Sequence, residues 1–146
     1  MKPQRIELIL ETLLESIPLA EEVGVSIAAA AGFADEDQYK IGVAVHEGVM
    51  NAFQYGNAQQ RERKIRVLFE LLNEKMVIHV ADQGTGFRLE DVPDPRRDEN
   101  LLGDSGRGVL LMRTFMDEFD VQVLQGGGAK VIMAKRYRAQ DNSQTM

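Results

Sequence analysis

The sequence predicts an α+β fold, a two-layer α/β sandwich in which a largely antiparallel sheet carries its helices on one face. Three observations predict it. Segments with period-two apolar patterning come in neighbouring pairs joined by short turns, so they can pair as hairpins. Segments with helical spacing are gathered after the first strand and again before the last pair, rather than alternating with every strand. The chain of 146 residues has the size of one domain, with residues 1–138 as the folded unit and the polar residues 139–146 as a tail.

Each element follows from its own residues. Ile6, Leu8 and Leu10 alternate with Glu7 and Glu11, the pattern of a half-buried first strand. Ser16-Ile17-Pro18 opens a helix, Leu19, Val23, Ile27 and Ala30 give its apolar spacing, and Gly32 ends it. Asp35 is expected to cap a second helix, with Glu36 and Asp37 favourable to its dipole. That helix carries one stripe of Ile41, Val45, Gly48, Val49, Ala52 and Phe53 and stops near Gly56-Asn57. Ile65, Val67 and Phe69 form a strand, Asn73-Glu74 turns the chain, and residues 76–81 form the next. Between Gly84 and Gly108 the pattern fails, with Pro93, Pro95 and many charges, and a functional lid is expected there. After Gly108, Leu111, Phe115 and Phe119 mark a helix. Strands at residues 121–124 and 131–133 then pair across a glycine-rich hairpin.

Composition excludes several classes. The net charge of −6, from 17 basic and 23 acidic side chains, would repel a phosphate backbone, so no nucleic-acid partner is expected. The clusters Arg61, Arg63, Lys64, Arg66 and Lys135, Arg136, Arg138 are expected to be solvated. No segment is apolar enough to span a bilayer, and Glu7, Glu11 and Glu15 break the pattern of a signal peptide, so a cytoplasmic location and no membrane are expected. The absence of cysteine removes thiol catalysis, disulfides and thiolate metal sites. His46 and His79 have no metal-ligand spacing, and Met112 and Met116 suit core packing.

Three stretches carry candidate chemistry. Glu47 and Asn51 lie one helical turn apart at the border of the apolar stripe, where a polar side chain can look into a cleft while its helix stays anchored. Asp82-Gln83-Gly84-Thr85-Gly86-Phe87 follows a strand apolar on both faces. Its carboxylate can accept from a ligand's amino group, and Gly84 and Gly86 allow close backbone approach. Gly103-Asp104-Ser105-Gly106-Arg107-Gly108-Val109 leads into a helix. The converging N–H groups there suit a phosphate chain, with Arg107 either a cation that contacts it or a surface residue. Taken singly, the pair on a helix, the turn and the glycine loop each have a bland reading as decoration or punctuation.

Together, in this order and spacing, they resemble the GHKL superfamily of gyrase, heat-shock chaperone, histidine kinase and MutL. More narrowly the chain is similar to the anti-sigma-factor serine/threonine kinases, from about Ile6 to Arg136. The resemblance implies a Bergerat-type ATP-binding fold and a role for each matching residue. Asp82 would accept from the adenine amino group, with Gly84 and Gly86 lining that end. Asn51 would hold Mg²⁺, and Gly103, Gly106, Arg107 and Gly108 would close on the phosphates of ATP. Glu47 would be the general base. An anti-anti-sigma (STAS-type) protein and a sigma factor are the partners implied, and a homodimer through strand edges at Ile6 or Val131 is possible. Tyr55 stands where many relatives have histidine, and Ile132 where relatives often carry threonine on the late strand. Two other readings follow from the same motifs. One is an ATP-gated binding module without catalysis; the other is a histidine kinase's catalytic half, which would need a helical phosphoacceptor segment that this pattern lacks.

Overall fold

The computed structural model describes residues 4–84 and 104–138, the side chains of Asp104 and Ser105 excepted. Its elements are β1 (Arg5–Glu11), α1 (Ser16–Ala31), α2 (Asp35–Asn51), a π-helical turn (Ala52–Gly56), β2 (Lys64–Leu71), β3 (Lys75–Ala81), α3 (Asp104–Phe115), β4 (Glu118–Val123) and β5 (Ala129–Arg136). The sheet order is β1-β2-β3-β5-β4, every pair antiparallel. The predicted α+β sandwich is therefore present; of the lid expected between Gly84 and Gly108, residues 85–103, with Gly86 and Gly103, lie outside the described residues, while residues 104–108 belong to α3.

Strand register builds one apolar face. Ile6, Leu8 and Leu10 stand opposite Phe69, Val67 and Ile65. Phe69 and Val67 stand in turn opposite Ile78 and Val80, and Ile78 and Val80 opposite Met133 and Val131. Ile65, Val67, Phe69, Met76, Ile78 and Met133 are almost wholly removed from water, and each such side chain contributes about 1.5–3 kcal/mol of transfer free energy. The expected stripe of α2 is the face that covers them, since Ile41, Val45, Gly48, Val49, Ala52 and Phe53 are all buried. Gly48 lets α2 settle onto the sheet: a Cβ there would stand 3.3 Å from Val80 Cγ2 and 3.5 Å from Met133 Cε. Met112 and Met116 of α3 complete the core, as expected.

Several local expectations change. The buried face of α1 is Ile17, Ala20, Gly24, Ile27, Ala28 and Ala31, while Leu19 is half exposed and Ala30 exposed. Small residues face the core because α1 lies close: a Cβ on Gly24 would be 3.1 Å from Val45 and 3.2 Å from Phe69. Gly32 does end α1, at φ 95° in the left-handed region. Asp35 is the first helical residue of α2 rather than its cap, which is Ala34. Phe119 belongs to β4, not to the preceding helix. It fits helical spacing from Phe115, but α3 has already ended and Asp117 N–H donates to the Ala134 carbonyl across the sheet. Val131 lies in an inner strand between β3 and β4, so the free sheet edges are β1 and β4.

The second basic cluster is not simply solvated. Lys135 is buried, donating from Nζ to the Phe115 carbonyl at 2.7 Å and standing 3.9 Å from Asp37, itself only 1% exposed. Arg138 reaches the same carboxylate at 2.9 Å. Lys135 thus satisfies an orphan carbonyl at the end of α3 and joins it to the first turn of α2. Lys135→Ala should lower the unfolding free energy by about 2–3 kcal/mol in denaturant titrations, because it uncaps the carbonyl and leaves Asp37 with one exposed partner. By contrast Arg61 and Arg66 make surface pairs with Glu11 and Glu7 and contribute little.

Candidate functional site

Glu47 and Asn51 sit half-buried at the end of α2, where the stripe meets solvent. Facing them is Gly108 of α3, in close approach: a Cβ there would stand 2.8 Å from Glu47 Oε2, 3.5 Å from Asn51 Oδ1 and 3.6 Å from Asn51 Nδ2, so a side chain would fit only if the Glu47 carboxylate moved. Gly106 and Gly108 are buried and lie within α3 rather than in a loop before it, while Arg107 points to solvent. The helix begins earlier than its spacing suggested, and Gly108 serves close packing of α3 on α2.

Beyond Asn51 the chain makes a single π-turn, a feature enriched at functional sites, and delivers Gly56 to the end of β3. There Asp82 is 8% exposed. Its Oδ1 accepts the Gly84 N–H at 3.0 Å and the Ala129 N–H at 3.2 Å, and its own N–H donates to the Ala129 carbonyl at 3.0 Å. Burial raises the carboxyl above its ordinary value against the opposing pull of these two N–H donors and of Arg63. Oδ2 has no hydrogen-bond partner among the described residues and lies against Gly56, where a Cβ would run into the carboxylate.

The structure therefore brings together Glu47, Asn51 and Gly108 at one end, and Asp82, Gly84 and Gly56 at the other, joined by the π-turn; Gly106 is buried in the first turn of α3. Gly86 and Gly103 fall outside the described residues. Ile132 is not part of this cluster. It pairs with His79 and Asp120 in the strand register, not with the Val80–Val131 row that faces α2, and lines with Val77 and Ala134 a groove that also takes in Arg113 and Met116 at the end of α3. That groove is a different surface, so the departure at Ile132 does not bear on Asp82. Tyr55 is half exposed. His46 pairs with Glu21, and His79 with Glu70.

Sequence reasoning read Gly56-Asn57 as a helix stop and residues 125–130 as a glycine-rich hairpin, and missed that both pack beside Asp82 and Gln83. All three hairpin glycines have positive φ, and a Cβ on Gly128 would collide with the Asp82 carbonyl. Three glycines in a row exceed what an ordinary hairpin needs, which was the available signal.

This combination of an antiparallel sandwich, a buried acceptor carboxylate at a strand end and a Glu/Asn pair facing a glycine of a third helix defines a nucleotide-binding class. The chain belongs to the histidine kinase-like ATPase domain family, whose model matches residues 10–135. Within that family it is similar to the serine-protein kinase RsbW of Bacillus licheniformis, 31% identical over 115 residues, covering 75% of this chain and 71% of that protein. It is 30% identical to RsbW of Listeria monocytogenes, of which it covers 72%. It is also 30% identical over 96 residues to an anti-sigma F factor of Clostridium beijerinckii, covering 64% of this chain and 67% of that protein. Among solved structures, the RsbU and RsbW domains of a Mycobacterium tuberculosis protein superpose with a TM-score of 0.66 at 16% identity, over 92% of this chain and 32% of that one. The catalytic domain of the histidine kinase ThkA gives 0.58 at 13% identity, over 90% and 97%. These two likenesses establish the fold.

Gly56→Ala tests the junction. The φ of Gly56 is ordinary, so the effect is steric, and the methyl displaces the Asp82 carboxylate. ATP affinity measured by calorimetry should fall at least about tenfold, with stability lowered by about 1–3 kcal/mol from overpacking.

Proposed function

We propose that the chain is an ATP-dependent serine/threonine protein kinase of the anti-sigma kind. It transfers the γ-phosphoryl group to a hydroxyl of an anti-anti-sigma (STAS-type) protein and binds a sigma factor. The observation that carries this reading is the placement of Glu47 and Asn51 side by side against Gly108, at the opposite end of the π-turn from the Asp82 acceptor. A nucleotide laid along that turn would have its base at Asp82 and its phosphates beside α3.

Each residue then has a physical task. Asp82 Oδ2 accepts from the adenine amino group. Backbone N–H groups in the first turn of α3 and the positive end of its dipole stabilise phosphate oxygens, with Gly103 and Gly106 allowing close approach and Arg107 available as a cation. Gly84 and Gly86 line the base end. The Glu47 carboxylate takes the proton from the attacking hydroxyl. The donor set beside Gly108, an amide oxygen and a carboxylate, consists of hard oxygens suited to Mg²⁺, and Asn51 would hold it. Bound magnesium neutralises charge on the phosphates, which together with positioning is most of what phosphoryl transfer requires. Residues 1–138 act as the unit, in the cytoplasm. No helix among the described residues is long and apolar enough to cross a membrane.

Incubation with γ-labelled ATP, magnesium and a purified STAS-type protein from the same source should yield acid-stable phosphoserine or phosphothreonine. Absence of transfer, or label found only as acid-labile phosphohistidine, would overturn the reading.

A further inference from the structure

Asn57 is wholly buried, and every polar atom of its side chain is used. Nδ2 donates to Thr12 Oγ1 at 2.8 Å and to the Lys64 carbonyl at 3.1 Å, while Oδ1 accepts the Gln83 N–H at 2.7 Å. The Thr12 hydroxyl donates in turn to the Arg63 carbonyl at 2.6 Å. One amide thus ties the chain just beyond β1, the start of β2 and the exit of β3 to the end of the π-turn. An apolar residue of the same volume could not do this, because it would leave buried donors and acceptors unmet.

The backbone around Asn57 is equally constrained. Its N–H closes the π-turn onto the Ala52 carbonyl at 2.7 Å, and its own carbonyl accepts the Gln60 N–H at 3.0 Å. Ala58 and Gln59 follow at φ 50° and 58°, left-handed values that non-glycine residues hold only when their surroundings over-determine them.

The peptide that Asn57 grips joins Asp82 to Gln83. Fixing the Gln83 N–H fixes that peptide plane from one side, and Ala129 holds Asp82 from the other through its N–H and carbonyl. Between the two anchors the Asp82 side chain has one orientation, with Oδ1 spent on backbone donors and Oδ2 left beside Gly56. We propose that Asn57 is a positioning residue for base selection: it sets the Asp82–Gln83 peptide and thereby aims the Asp82 Oδ2 oxygen, so that adenine, which carries an amino group at C6, is preferred over guanine, which carries a carbonyl there and its amino group at C2. The proposal rests on the reading of this site as an ATP site. Asn57 is wholly buried, so it acts through Asp82.

Affinities for ATP and for GTP, each with magnesium, are measured by calorimetry alongside melting temperatures of the nucleotide-free protein. Wild type prefers ATP. Asn57→Ala, which deletes the acceptor for Gln83, lowers the ATP-to-GTP affinity ratio about tenfold. Asn57→Asp keeps that acceptor while losing both donor contacts, and Thr12→Val weakens the far end of the network. Both lower the melting temperature yet keep the ratio within about threefold of wild type. Should Asn57→Ala not fold, Asn57→Ser, which also cannot reach Gln83, is read in its place. An unchanged ratio in the folded alanine or serine variant overturns the proposal, as does an equal loss in Thr12→Val, which would make the effect one of stability. Those results would leave the ATP site standing. A wild type that binds neither nucleotide removes both together.

Discussion

Asp82→Asn is expected to cost more than roughly a hundredfold in ATP affinity while making the nucleotide-free domain more stable at neutral pH. The first effect follows from chemistry at one atom. Oδ2 has no hydrogen-bond partner among the described residues and is the oxygen assigned to accept from the amino group, whereas an asparagine whose oxygen stays on the Gly84 and Ala129 N–H groups presents an NH₂ there instead. Donor then faces donor, and a charge-assisted hydrogen bond of about 3 kcal/mol is lost. The second effect has the opposite sign because Asp82 is ionised at a cost. Burial, the largest influence, raises its folded pKa above the unfolded value of 3.8. The cost is fully present above the folded pKa and is relieved as pH falls through it toward 3.8, the unfolded carboxyl remaining charged longer. The stability gap between Asp82→Asn and wild type should therefore be largest near pH 7 and close on acidification. Thermal unfolding of both proteins across that range checks it. A variant less stable than wild type at neutral pH, or one that keeps wild-type ATP affinity, would contradict the assignment of Asp82 as the base acceptor. A residue retained at a cost to stability is what a binding function demands.

The sandwich was legible because its strands alternate cleanly and its second helix carries an uninterrupted stripe; Ile65, Val67 and Phe69 need no tertiary information to be read as one face. The candidate site was legible in part for the same reason, since Glu47 and Asn51 stand at a border that helical geometry alone defines. What stayed hidden depends on distances between separate elements. Gly24 turns α1 by packing against Val45 and Phe69, so its small-residue side rather than the Leu19 side is buried. Lys135 looks like one more cation of a basic cluster until the fold places the end of α3 and Asp37 around it. Gly56, Asn57 and Gly128 read as punctuation because glycine and asparagine are common in turns, and their contacts with Asp82 and Gln83 span a sequence gap that no periodicity reports. Local pattern encodes which face is apolar; close approach is decided by what the neighbouring element omits.

That distinction shapes the second large effect, at Glu47. Glu47→Gln should reduce phosphoryl transfer to a partner hydroxyl by about 10²–10⁴-fold, the range associated with a positioned general base, while ATP affinity stays within about threefold. Glutamine preserves the shape that fits against Gly108 and next to Asn51, so nucleotide and metal contacts survive and only the proton acceptor is removed. Gly108→Ala should give the same split more weakly. Its methyl would lie 2.8 Å from Glu47 Oε2, close enough to move the carboxylate but against the flexible end of a side chain rather than backbone. Single-turnover transfer together with equilibrium ATP binding separates the two quantities. Parallel loss of both in Glu47→Gln would assign Glu47 to holding the nucleotide. Undiminished transfer would place the base elsewhere. Partner affinity that responds to nucleotide, in a protein whose transfer is nil with or without Glu47, would make this site an ATP-gated switch, in which the carboxylate beside Gly108 orders the nucleotide and does no chemistry.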